Sequence, residues 1–283
     1  MITIAILTLR EAARRRILAV LLLLTLATVA LTGWGIERLT TLAREGGVNE
    51  LQIRIGVSQV LILVAFMFSF VLAMTAAFMG SPAIAGDIES GVAQSILARP
   101  IRRIDLLLGR WLGLSIVVAG YAAGAGLLEI AIVGAVSGHL PPEPFLAVLF
   151  LAGQSIIVLT FALLLSTRLP SIAGGAICVV LFGLAWMAGV LIGVAQAFDA
   201  GALASVARAS RWLFPSDGLW RGVIYGLEPP LVLLGARAAA GARADANPFY
   251  AATPPPLEFV VWSVIWIAIV LAIAGWSLNR REI

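Results

Sequence analysis

Hydrophobic residues in this chain gather into long unbroken runs rather than an alternating pattern. The first, Ile17–Ile36, is free of charge for 20 residues. As an α-helix it spans ~30 Å, the thickness of one bilayer hydrocarbon core. Further charge-free windows are Ile55–Gly86, Trp111–Leu128, Pro144–Thr167, Leu169–Phe198 and Phe259–Asn279. They predict six membrane helices near 17–36, 57–79, 111–136, 145–167, 171–197 and 258–278. Leu, Val, Ile and Ala dominate them with scattered Gly, the composition of packed membrane helices. The short alternating strands that a barrel needs are absent. Arg14–Arg16, the apolar run and Thr28-Val29-Ala30 imitate a cleaved signal peptide, but the full spanning length and the five helices that follow favour a retained anchor.

Three stretches outside the spans carry information of their own. Residues 1–16 set Ile2, Ile4, Ala5, Ile6 and Leu9 before a basic cluster, the pattern of a short helix lying in the membrane interface. Residues 80–110 form a loop, and residues 198–258 a long segment with no net charge. Within the latter, Leu219, Trp220, Val223, Ile224 and Leu227 share one helical face after a start signal at Pro215-Ser216-Asp217. Pro229-Pro230 ends that helix, so one or two interfacial or re-entrant helices are expected before the last span. The fold class is therefore an all-α integral membrane protein in one transmembrane domain, residues 1–283.

Composition agrees and narrows the function. Of 283 residues 61% are hydrophobic and 12% charged, against ~25% charged in an ordinary soluble domain. This excludes a cytosolic enzyme and a nucleic-acid-binding domain, despite a pI near 10.2. One cysteine (Cys178) and one histidine (His139) permit neither a disulfide framework nor a zinc site. All 19 basic residues are arginine; without a lysine to hold nucleotide phosphates, this polypeptide is not a conventional P-loop ATPase. With the N-terminus inside, the inner segments hold 11 arginines against five acids, and the remainder eight arginines against ten acids. Arginine-rich inner loops are the positive-inside signature, so both termini are expected in the cytoplasm.

The loop 80–110 holds the densest constellation. Ser81 before Pro82 reads as a helix start. Ile88, Val92 and Ile96 then form an apolar stripe, with Asp87, Glu89 and Gln94 on other faces. Pro100 stops this helix, and a second short one offers Ile104, Leu107 and Leu108, with Arg102, Arg103 and Arg110 elsewhere. A basic, amphipathic elbow of this kind suits docking into a groove of a soluble partner. It suits equally a hairpin on the membrane surface, its arginines snorkelling to anionic lipid.

These residues carry a resemblance. Asp87-Ile88-Glu89-Ser90-Gly91, then Leu97-Ala98-Arg99-Pro100-Ile101-Arg102-Arg103, then Leu107-Leu108-Gly109-Arg110 entering a membrane helix, resemble ABC-2 type permeases, the membrane subunits of ATP-binding-cassette exporters. Leu9–Arg16 and Phe214–Arg221 resemble the same family's interfacial helix and the segment before its final helix. Where members often have Lys after the Gly, Arg110 keeps the charge. The resemblance implies a permease in a prokaryotic cytoplasmic (inner) membrane, paired with a second copy as a homodimer above two cytosolic ATPase subunits. It implies that Asp87–Arg103 includes the coupling helix, with Asp87, Ile88, Glu89, Ser90, Gly91, Val92, Arg99, Pro100 and Arg103 at the ATPase interface. ATP and Mg would sit in the partner ATPase; no cofactor or metal is expected in this chain.

The remaining polar residues suggest no substrate. Glu129 is the one ionisable residue within a predicted span and, with Gln154, the candidate intramembrane polar group. Its depth near one interface favours a structural acid, and Gln154 and Ser155 favour interhelical hydrogen bonds. Trp34, Trp111, Trp262 and Trp276 fit interfacial belts. Gly174, Gly175, Gly183, Gly189 and Gly193 permit close helix contact, as at a dimer seam. An ion-coupled secondary transporter or a membrane scaffold is the alternative, though ion coupling usually uses several intramembrane ionisable groups.

Overall fold

The computed structural model describes residues 1–14, 16–92, 102–197, 201–230, 232, 235, 238 and 247–281. Among these, ten helices and no strand are found: α1 (Ile2–Arg14), α2 (Arg16–Glu45), α3 (Glu50–Gly80), α4 (Pro82–Glu89), α5 (Arg103–Ser137), α6 (Pro144–Ser166), α7 (Ser171–Ala197), α8 (Gly201–Leu213), α9 (Ser216–Leu227) and α10 (Leu257–Asn279). Six are long and apolar enough to cross a membrane, in the expected order. α6 is the central one: 67% of its most apolar window is buried inside the chain, against 28% for α2.

The helices overrun the apolar windows, because charge-free length measures a bilayer and not a helix. α3 opens at Asn49, whose side chain accepts the Leu51 N–H at 3.0 Å. It then continues into α4 as a 40-residue rod, Glu50–Glu89, about 60 Å long. Ser81 is not the expected N-cap. Its backbone is helical (φ −61°, ψ −43°), and its hydroxyl donates instead to the Ser171 carbonyl.

Nor does one helix run from Pro82 to Pro100. α4 stops at Glu89, where the N–H and hydroxyl of Ser90 both donate to the Gly86 carbonyl (3.0 and 2.7 Å). Gly91 follows at φ +73°, the left-handed conformation that glycine adopts without steric cost. Ile88 and Val92 are thus separated by a turn. Residues 93–101, with Ile96, Arg99 and Pro100, lie outside the described residues.

The expected second short helix is likewise no separate element. Arg103 to Ser137 is one continuous helix of 35 residues. Its amphipathic first turns are covered by α1, which packs so closely that a Cβ on Gly109 would come within 2.7 Å of Ile4, and one on Gly113 within 2.7 Å of the Ala5 carbonyl. Leu107 is fully buried there.

The helix expected after Pro215 is α9. Of the interfacial and re-entrant placements expected, it takes an inserted one within the bundle, with ten of its residues buried. Gly218, Gly222 and Gly226, four residues apart, let it fit: the first abuts the Phe259 ring, and Cβ atoms on the others would fall 2.5 Å from Phe150 and 2.9 Å from the backbone of Glu143 and Ala147. The glycines of α7 also serve contacts within the chain. Gly174 faces Ser81, Gly175 the Phe78 ring and Gly189 the Asp217 carboxylate, while Gly183 meets nothing within 4 Å.

Candidate functional site

One end of the bundle, here called proximal, gathers α1, the end of α4, the start of α5, the α6–α7 turn and the end of α10. Arg110, two turns into α5, is the hub. One terminal nitrogen donates to Asp87 Oδ2 at 2.7 Å and the other to Glu11 Oε2 at 3.0 Å. The Arg110 and Asp87 side chains are 15% and 19% exposed, so this charge-assisted pair is partly shielded from water and gains strength accordingly. Together with Thr8, Pro82 and Gly86 these side chains line a cavity of about 230 Å³.

A few residues along, Glu89 grips α7. Its carboxylate accepts the Ser171 N–H at 2.8 Å and the Ser171 hydroxyl at 2.9 Å. A carboxylate on the first turn of a helix satisfies orphan N–H groups and complements the helix dipole. The C-terminus of α10 is held by cations, as the same dipole favours. Arg103 donates to the carbonyls of Leu278 (2.8 Å) and Arg281 (2.7 Å), and Arg168 to the Ser277 hydroxyl (2.9 Å) and carbonyl (3.1 Å). Arg281 in turn donates to the Thr167 carbonyl at 2.6 Å.

The residues expected on this face therefore divide. Asp87, Glu89 and Arg103 have partners within the chain. Ile88 is half-buried and packed against the core. Ser90 and Gly91 form the exposed turn, and Val92 is 46% exposed. The roles of Arg110, Arg168 and Ser171 were not read from the sequence; a lone serine opening a span gives no signal of the distant Glu89 that caps it.

Deeper in the bundle, Gln154 Oε1 accepts the Ser69 hydroxyl at 2.9 Å, the expected tie between spans. Trp111 also ties spans, donating to Thr160 at 2.9 Å, and Trp262 donates to the Trp212 carbonyl at 2.9 Å, whereas Trp34 and Trp276 are exposed, as belt residues are. Glu129 is 2% exposed beside a cavity of about 30 Å³. Thr32 approaches its carboxylate, but neither oxygen makes a well-formed hydrogen bond. Cys178 is fully buried.

The opposite, distal end holds a second charged group. Asp217 is 4% exposed and accepts from Arg211 Nε at 3.0 Å. Burial pushes its carboxyl up, and the Arg211 and Arg221 guanidiniums pull it back down. Arg221 also donates to the Gly189 carbonyl at 3.0 Å, joining α9 to α7. Nearby, burial pushes the Glu228 carboxyl up to about 7, opposed by the Ala251 N–H. Among the described residues no three His, Cys, Asp or Glu side chains are arranged to hold a metal.

The arrangement is a rigid, charge-clamped face at the end of a membrane bundle, and comparison with known proteins gives it a context. A family model described as "ABC-2 family transporter protein" matches residues 2–283. No curated protein matches the chain. The chain belongs to the ABC-2 transporter family, as a membrane permease component of an ABC transporter whose partner is an ATP-binding subunit.

Proposed function

We propose that this permease couples ATP hydrolysis on a separate cytosolic subunit to export across a prokaryotic inner membrane, two copies acting as a homodimer. The proximal face is the cytoplasmic one, and the segment from Asp87 to Arg103 seats on the ATPase. One observation carries the reading: the end of α4 is fastened to three other helices. Arg110 and Glu11 bind Asp87 to α5 and α1, and Ser171 binds Glu89 to α7. A force applied by a partner at residues 89–92 then reaches the spans without first being absorbed by a flexible loop, as rocking between inward- and outward-facing states demands.

The test is reconstitution. Co-expressed with its ATP-binding subunit, the chain is expected to co-purify with that subunit and to change its hydrolysis rate in proteoliposomes; alone it is expected to hydrolyse no ATP. Failure to co-purify, or sustained hydrolysis by the single chain, overturns the proposal. Sidedness has its own test. In a Cys178→Ala background, Asn279→Cys is expected to be labelled only from the cytoplasm and Thr253→Cys only from outside. The reverse pattern refutes the orientation.

A further inference from the structure

The distal end carries a pocket that the coupling mechanism does not use. It has a volume of about 320 Å³, within the range of small-ligand sites. Arg208, Arg211 and Arg221 line it together with Trp212, Phe259 and Thr253. No carboxylate is in the lining; Asp217 sits behind the arginines, bound to Arg211 at 3.0 Å and 3.8 Å from Arg221. One acid thus serves two of the three guanidiniums. Arg208 is exposed and pairs with no described residue. Arg211 holds Asp217 Oδ2 through both Nε (3.0 Å) and a terminal nitrogen (2.9 Å), and Arg221 gives one terminal nitrogen to the Gly189 carbonyl at 3.0 Å.

Guanidiniums converging on a concave site match the oxygens of a phosphate, which takes several N–H donors in fixed geometry. Part of the lining is apolar: Trp212 and Phe259 meet edge to face, 5.5 Å between centroids. An anion with an apolar body uses both the guanidiniums and the rings; a bare inorganic ion uses only the guanidiniums.

We propose that this pocket binds the phosphate of an amphipathic anion, presented either by an anionic phospholipid headgroup or by a soluble organophosphate. Arg208 and Arg221 meet the phosphate, Arg211 both meets it and anchors Asp217, and the Trp212–Phe259 wall receives the apolar portion.

The experiment is calorimetric titration of the purified full chain in a neutral maltoside detergent. The probes are dihexanoyl phosphatidylglycerol, dihexanoyl phosphatidylcholine and phenyl phosphate. Saturable binding of the phosphatidylglycerol, at least tenfold tighter than the choline lipid and weakened at least tenfold by Arg208→Gln, supports the proposal with a lipid source. Phenyl phosphate binding as tightly as the anionic lipid, with the same loss in Arg208→Gln, supports a soluble source. Ala252→Trp, which fills the pocket without altering an arginine, is expected to abolish binding in either case. Equal binding of the two lipids, unchanged affinity in both variants, or no binding by any probe overturns it. No ATPase is present, so the outcome is independent of the coupling proposal.

Discussion

Glu89, the last residue of α4, caps Ser171, the first residue of α7, with both carboxylate oxygens, at 2.8 and 2.9 Å. The two residues are 82 positions apart, and this contact joins the exposed turn at 90–91 to a membrane span. Removing a capping side chain costs about 0.5–2 kcal/mol, so Glu89→Ala is expected to lower thermal stability by only a few degrees. Its effect on coupling is expected to be larger, since the ATPase would then push on an unfastened α4. Comparing melting temperature with permease-dependent hydrolysis checks this; equal coupling in wild type and Glu89→Ala contradicts it.

Arg110 gives a sharper test of the same face. Charge-assisted hydrogen bonds contribute roughly 1.5–3 kcal/mol, and Arg110 makes one to Asp87 and another to Glu11. Arg110→Gln is expected to be more destabilising than Asp87→Asn or Glu11→Gln alone. A double-mutant cycle with Asp87→Asn should show positive coupling between the two sites. Strict additivity of the two single effects would mean the 2.7 Å contact contributes nothing.

The glycines of α9 make a packing prediction. A Cβ at Gly226 would meet backbone atoms of Glu143 and Ala147 at 2.9 Å, and neither can rotate away. Overpacking costs typically 1–3 kcal/mol, so Gly226→Ala is expected to lower stability by that order. Gly120→Ala, where nothing lies within 4 Å, is expected to leave stability unchanged or raise it. Thermal unfolding in detergent ranks the two, and equal melting temperatures would refute the inserted position of α9.

Glu228 makes the protein sensitive to pH. Its folded-state pKa of about 7 lies above the ordinary 4.5, so the folded chain holds this proton more tightly than the unfolded one. The stabilisation is full below about pH 4.5 and is lost as pH rises toward 7. It is then flat above that, for a total on the order of 3 kcal/mol. Glu228→Gln, permanently neutral, should show a shallower fall in melting temperature between pH 5 and 7.5 than wild type. Parallel profiles would exclude Glu228 as the cause.

What the sequence displays well is whatever depends on bulk transfer to lipid. The order and number of spans follow from charge-free length, and the start of α9 from Pro215-Ser216-Asp217. What it hides depends on pairing at a distance. Glu89 and Ser171, or Arg103 and the Leu278 carbonyl, are unrelated in sequence and meet only once the bundle closes. The stripe Ile88–Val92 was read at helical spacing, yet the spacing says nothing of the turn that Ser90 and Gly91 insert between them. Gly174, Gly175 and Gly189 of α7 were legible as sites of close contact, but not which residues they would meet, and Gly183 meets nothing within 4 Å. The spacing Gly218, Gly222, Gly226 was the available signal for the insertion of α9.

That turn also decides how the partner-binding surface must be probed. Ile88 is half-buried against the core, so Ile88→Asp would place a charge among apolar groups of the permease itself, which is strongly unfavourable. It is expected to lower the yield of folded chain, and its loss of coupling would be ambiguous. Val92 is 46% exposed, so Val92→Asp leaves the permease stable while changing the surface offered to the ATPase. A Val side chain buried in an interface stabilises it by ~1.5–3 kcal/mol, and an aspartate there adds a desolvation cost. Val92→Asp is therefore expected to weaken co-purification of the ATPase at least tenfold with an unchanged permease melting temperature, and Val92→Leu to preserve it. If Val92→Asp retains full partner binding and coupled hydrolysis, the turn at 90–92 lies at the membrane surface and the ATPase docks elsewhere.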